Sequence, residues 1–265
     1  MSEANRDDQK HSSHEKDTPS LNRRQFLAGS VSLLALRASS PLFDAQAEEP
    51  TDTSDPMRVP GALPRPHGER SPFEKQTRMV AATSSTTPLQ DLQGMITPSA
   101  LHFERHHNGV PAIDPTRHRL LIHGLVDHPL FLTIEELKRL PSASRIAFVE
   151  CSGNSRDGWG EVRDATAQGL HGLTSTSEWT GVKLSTLLDA VHVQRGATWM
   201  LAEGSDAAGL ARSVPLTDDV LNDAMVCYGQ NGEALRPEQG YPLRLLLPGF
   251  EGNINVKWLR RLKLG

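Results

Sequence analysis

Cysteine is the scarcest informative residue, with only Cys151 and Cys227 in 265 positions. Two thiols exclude a disulfide-framework domain, leave at most one bridge, and provide neither a CxxC pair nor Cys/His zinc spacing. No CxxCH haem-attachment motif occurs. No run of ~18 uninterrupted apolar residues exists, which excludes an ordinary membrane-spanning helix. GxGxxG and P-loop patterns are absent too, so dinucleotide and nucleoside-triphosphate binding lack support. Basic blocks are also missing. The formal charge is −4; residues 1–47 carry six basic and six acidic residues, so the remainder also sums to −4 (22 minus 26). Such a chain has no general reason to bind nucleic acid, although net charge leaves local basic pockets for an anion open. What is present is ordinary globular composition, 37% hydrophobic and 23% charged, enough for one or two domains.

The N-terminus reads as an export leader. Twenty polar and charged residues precede Asn22-Arg23-Arg24-Gln25-Phe26-Leu27, then a weakly apolar stretch over 27–36, then the small-residue pattern Ala45-Gln46-Ala47. Charged, apolar and small-residue regions in that order make a signal peptide over 1–47. The paired arginines before Phe-Leu resemble a twin-arginine signal, used by proteins that fold around a cofactor before export. Periplasmic localisation is therefore expected. Residues 48–86 are expected to form an irregular arm, being rich in Pro, Thr, Asp and Ser at the start. The domain is expected over 87–265.

Within the domain, 119–123 read as a strand. Residues 133–140 read as a short helix capped by Thr133, with Glu136 three positions on and Pro141 at its end. An apolar strand over 145–150 leads straight into Cys151. A helix over 184–191, a strand over 198–202 and a helix over 216–221 follow. Strands over 224–229, 242–247 and 256–264 complete the pattern. Strands and short helices mix without βαβ alternation, which points to an α+β fold with a mixed sheet.

The segment Phe148-Val149-Glu150-Cys151-Ser152-Gly153-Asn154-Ser155-Arg156 carries the chemistry. A thiolate is a natural ligand for a soft or high-valent transition metal. The glycine two residues on admits close approach of a ligand, and the nearby arginine favours the ligating form. Taken alone, a cysteine at a strand end is more often a small buried hydrophobe. Six segments in order change that reading. They are Phe103-Glu104-Arg105-His106-His107 running to Pro111; Cys151-Ser152-Gly153-Asn154; Trp179-Thr180-Gly181-Val182-Lys183-Leu184; Glu203-Gly204-Ser205-Asp206; Gly240-Tyr241-Pro242-Leu243-Arg244; and Gly252-Asn253-Ile254-Asn255-Val256-Lys257-Trp258-Leu259. Together they resemble the molybdopterin domain of the sulfite oxidase family, over about Thr87 to Gly265. The stretches 97–107, 118–124 and 172–179 are most similar to its SoxC branch, the molybdenum subunits of bacterial sulfane (sulfite) dehydrogenases.

The resemblance implies roles at matching positions. Cys151 would be the protein sulfur ligand to molybdenum, beside the two sulfurs of one molybdopterin. Arg105 would hold an oxyanion substrate, for which a planar, always-charged fork is suited. His107, Asp206, Arg244 and Lys257 would contact the pterin or its phosphate. Sulfite or carrier-bound sulfane sulfur would be oxidised, with electrons passing to a separate c-type cytochrome subunit and a sulfur-carrier protein as a further partner. His106 departs from the family's usual Asn, Gln239 from the His of animal enzymes, and Ser155 from an arginine pair with Arg156. His171 is a weaker pocket candidate. Cys227 and the four tryptophans read as structural. The family usually continues into a further tyrosine and an immunoglobulin-like dimerisation domain, for which the sequence to Gly265 has no counterpart, leaving homodimerisation in doubt. A periplasmic sulfoxide reductase, or a cofactor-binding chain without turnover, are the alternatives.

Overall fold

The computed structural model describes Met57, residues 60–161 and residues 165–265. The expected leader and cleavage pattern lie outside these residues. The chain divides at Glu69 and Arg70 into two units. In the first, residues 60–69 are irregular and exposed. The second, Arg70–Gly265, carries all the regular structure described here.

Three short strands come first: β1 (Met79–Val80), β2 (Ser84–Thr86) and β3 (Glu104–Arg105), which pair antiparallel in that order. Thus β1 and β2 stand inside the stretch expected to be irregular. Their hydrogen-bonded register, with Ser84 opposite Arg105, places Arg105 at the edge of this small sheet.

Next come β4 (Arg119–Gly124), β5 (Leu130–Thr133) and helix α1 (Ile134–Lys138). The helix starts where the capping box predicts: Thr133 accepts from the Glu136 N–H, and Glu136 reaches back to Thr133. Strand β6 (Ser142–Glu150) ends directly before Cys151. Helix α2 (Ala167–His171) and strand β7 (Thr174–Lys183) precede helix α3 (Leu184–Val191). Helix α3 buries Leu184, Leu187, Leu188 and Val191, a single stripe at helical spacing in which each side chain contributes about 1.5–3 kcal/mol. Then follow β8 (Trp199–Gly204), β9 (Ala211–Pro215), α4 (Asp218–Asp223), β10 (Met225–Gln230), β11 (Glu233–Ala234), β12 (Arg244–Leu246) and β13 (Leu259–Leu264).

These strands form two five-stranded sheets. One runs β11-β10-β7-β6 with β12 also on β10; the other runs β5-β4-β13-β8-β9. In the second, β13 pairs parallel with β4 and antiparallel with β8. The sheet is therefore mixed and the fold is α+β, as expected from the sequence. The main core joins α3 to Leu120, Ile122, Met200, Leu245 and Leu262. A smaller cluster, with Phe103, Val149, Trp179 and Cys227, lies beneath the Cys151 loop.

Candidate active site: one cysteine and five basic side chains around a cavity

The loop after β6 is tied down on every side. The Cys151 N–H donates to Leu173 O at 2.9 Å, and the Asn154 N–H closes a turn on Cys151 O at 2.9 Å. The Asn154 side chain accepts from the Leu173 N–H at 3.0 Å and donates to Glu150 Oε1 at 2.9 Å. The Gly153 N–H points at Cys151 Sγ, 3.4 Å away. Gly252 presses on the loop from the other side: its N–H donates to Glu150 O at 2.6 Å, and a Cβ there would come within 3.0 Å of that oxygen. Ser155 takes a left-handed conformation, φ 64, and bonds His171 Nδ1 at 2.7 Å. That bond holds His171 outside the walls of the cavity described next.

A cavity of about 320 Å³ opens beside Cys151. Its walls include Arg105 and His107, Arg244 and Lys257, and also Arg156 and Arg212. Five of the six expected site residues thus meet in one place. Asp206 stands outside the walls, where Oδ1 accepts from the Leu210 N–H at 3.1 Å. It acts on the cavity by charge, as one of the groups that favour the Lys257 ammonium. A larger hollow of about 450 Å³ lies beside Lys138, Tyr228 and Tyr241 and has no soft metal donor.

The cavity is strongly electropositive. Five cations face one carboxylate, Glu104. Arg244 is 2% exposed and, among the described residues, has no carboxylate partner. Its terminal nitrogens reach only the carbonyls of Gln239 and Asn255 and the Gln239 amide oxygen, at 3.2–3.4 Å. Its Nε has no hydrogen-bond partner among the described residues, and its guanidinium lies 4.5 Å from the Trp179 ring centre. Burial lowers its pKa to about 10. Burial, then Arg244, lowers Lys257 to about 7, against the opposing pull of Glu104, Glu238 and Asp206. Unpaired buried charge is costly, so this site is built to receive an anion. Gln239, where the resemblance noted a departure from histidine, is buried and donates its amide N–H to Phe103 O at 2.8 Å.

The metal end is equally selective. Among the described residues no cluster of three His, Cys, Asp or Glu side chains could hold a metal. Cys151 is a lone soft donor, so a metal bound here must bring most of its own ligands. A Cβ on Gly153 would meet only Cys151 Sγ, at 3.8 Å; the missing side chain leaves open space beside the sulfur. A lone cysteine sulfur, open space and buried basic side chains fit a metal carried by a phosphorylated organic cofactor. Cys227, by contrast, is fully buried in β10, and burial pushes its thiol up to about 12.

The family described as oxidoreductase molybdopterin binding domain matches residues 107–265. The chain belongs to this family. Molybdenum on molybdopterin is accordingly its cofactor. A solved structure, the sulfane dehydrogenase SoxCD from Paracoccus pantotrophus, superposes with a TM-score of 0.75 at 38% identity, covering 79% of this chain and 57% of that one. The sulfite oxidase resemblance and the likeness to SoxC are thereby borne out. Curated relatives include an NADH nitrate reductase from Volvox carteri, 37% identical over 64% of this chain, and an NADPH nitrate reductase from Phytophthora infestans, 35% identical over 68%. The chain spans 21% of each of these two enzymes.

Arg156, Arg212, Asn253 and His102 line the molybdopterin-domain cavity although the sequence had not singled them out as site residues. Arg156 was read as part of the cysteine segment, as the arginine that favours the ligating form, but not as a wall of the cavity. Arg212 lies on β9, a strand that left no clear pattern. Asn253 sits within a quoted motif; it accepts from Arg212 Nε at 3.1 Å and donates to Ser152 Oγ at 3.2 Å, coupling β9 to the cysteine loop.

Proposed function

We propose that this chain is a periplasmic molybdenum oxidoreductase that oxidises sulfite or carrier-bound sulfane sulfur and passes electrons singly to a c-type cytochrome. One observation carries the reading: Cys151 shares its cavity with the exposed guanidinium of Arg105 and with Arg156. When bound, the molybdenum group supplies the two-electron redox step, and water supplies the oxygen, so that sulfite and water yield sulfate, two electrons and two protons. The protein binds and orients. Arg105 and Arg156 hold a tetrahedral oxyanion at any working pH, and act electrostatically as charge redistributes over its oxygens. Arg244 and Lys257 supply the charge that a cofactor phosphate needs. Gly153 leaves space next to the sulfur ligand, and Asn154 keeps that ligand still. The twin-arginine leader fits a protein that acquires its cofactor before export.

A second reading is favoured by the nitrate reductase relatives. The same cationic cavity would receive nitrate, with electrons flowing in the opposite direction. A sulfoxide reductase would also draw electrons inward. The loaded chain is therefore assayed for sulfite oxidation with cytochrome c, and for nitrate and sulfoxide reduction with a reduced viologen. Cytochrome reduction dependent on sulfite is the expected result. Viologen oxidation alone would replace the proposal with a reductase, and no turnover with full molybdenum content would leave a cofactor-binding chain.

A further inference from the structure

Within the oxyanion-binding reading, the hydrogen bonds of Lys257 suggest a division of labour. We infer that Glu104, His106 and Lys257 form a hydrogen-bonded chain that positions Arg105, and that Lys257 reaches a bound anion by charge rather than by a direct hydrogen bond.

An ammonium has three hydrogens. Lys257 Nζ meets three protein acceptors: His106 Nδ1 at 2.9 Å, Glu238 O at 3.0 Å and Arg105 O at 3.2 Å. In the ammonium form all three hydrogens are thus spent on the protein, leaving none for a ligand. Because His106 Nδ1 accepts, its proton sits on Nε2, which donates to Glu104 Oε2 at 2.6 Å. The other Glu104 oxygen is held by Ser85 Oγ at 3.1 Å and by Arg78 at 3.0 Å. The chain is satisfied from end to end, as a half-buried polar network must be.

Its geometry links the loop before β13 to β3. Lys257 grips the carbonyl of Arg105 itself, which sets where the Arg105 side chain leaves the backbone. This gives His106 a function at a position where the family often has Asn. An Asn Oδ1 falls near the imidazole Nδ1 and keeps the Lys257 contact. A Gln amide nitrogen falls near Nε2 and keeps only the Glu104 contact. Leu keeps neither. Arg244 is the better candidate for direct donation to the anion, since its Nε is unspent.

The test uses the molybdenum-loaded full chain as wild type, His106→Leu, His106→Gln and His106→Asn. Sulfate affinity is measured by calorimetry and pterin content by fluorescence after oxidative release. Losing one hydrogen bond to a charged group predicts roughly tenfold weaker sulfate binding in the Leu and Gln variants. His106→Asn should stay near wild type, and all four proteins should hold equal pterin. Lys257→Met should weaken sulfate at least as much as His106→Leu does, because it removes the charge as well as the contact. Wild-type sulfate affinity in His106→Gln would overturn the inference. A wild-type holoprotein that binds no sulfate would instead overturn the oxyanion reading on which the inference rests.

Discussion

Asn154 explains why the Cys-x-Gly-Asn element works as a unit: its backbone closes on Cys151, and its side chain bridges Leu173 and Glu150. Replacing it with Ala leaves the Leu173 N–H without its acceptor, at a cost of about 1–3 kcal/mol. Asn154→Ala should therefore melt earlier and lose molybdenum faster during dialysis; an unchanged melting curve would show that the loop is held by other contacts. Arg105→Gln should keep molybdenum yet lower kcat/KM for sulfite by one to two decades, as expected for removing roughly 1.5–3 kcal/mol of charge-assisted binding. Unchanged kcat/KM would reject that assignment. Residues of this kind were legible because motif and chemistry coincide at Cys151, Arg105, Arg244 and Lys257. Asp206 was legible as a motif, but not as standing outside the cavity walls, because its carboxylate caps its own loop. Arg156 was legible beside Cys151, but its place in the cavity wall, like that of Arg212, comes from three-dimensional convergence, which no local pattern records.

Elements with a clean period or a cap were read well. Helix α3 has the bounds that its apolar stripe predicts, and α1 begins at its capping box. Strand β7 was not read as an element, although its Trp179–Leu184 end was recognised as a motif. It starts Thr-Ser-Thr-Ser-Glu and is polar over half its length, yet it lies between β6 and β10 at the centre of its sheet. Its buried hydroxyls explain the polarity: Ser175 bonds Thr87, and Ser177 accepts from Gln230. Gly181 is the point of closest approach, since a Cβ there would stand 2.2 Å from Val226 O and 2.6 Å from Cys227 Cα. Gly181→Ala must push β7 from β10 and should cost about 1–3 kcal/mol or more. Urea unfolding measures this directly. A midpoint within error of wild type would mean that the strands separate freely.

The whole molecule should respond to pH through its buried bases. His102 is fully buried, and its pKa falls from 6.5 to about 3, chiefly through burial. The folded state thus binds fewer protons than the unfolded chain between these values, so this contribution to stability is complete above pH 6.5 and is lost as pH falls toward 3. His102→Gln should flatten that acid limb in urea titrations. Lys257, lowered from 10.5 to about 7, makes the chain without an anion gain stability as pH rises from 7 to 10.5. An anion in the cavity raises this pKa again, so binding of inorganic phosphate at pH 8 should take up protons, approaching about one per chain. Calorimetry in two buffers of different ionisation heat reads this uptake, and equal heats in both would contradict it. At the other end of the chain, replacing Arg23 and Arg24 with Lys should trap precursor in the cytoplasm; normal export would remove the twin-arginine assignment.

X-ray absorption at the molybdenum edge tests the central claim most directly, because it counts the sulfur neighbours of the metal. On the proposed assignment the charge on Arg244 and Lys257 serves the cofactor phosphate without passing through the thiolate, so Cys151→Ser should retain pterin while losing turnover. Its spectrum should show one sulfur neighbour fewer than wild type, and Cys227→Ser should match wild type. A Cys151→Ser protein with the wild-type sulfur count and full activity would contradict the account.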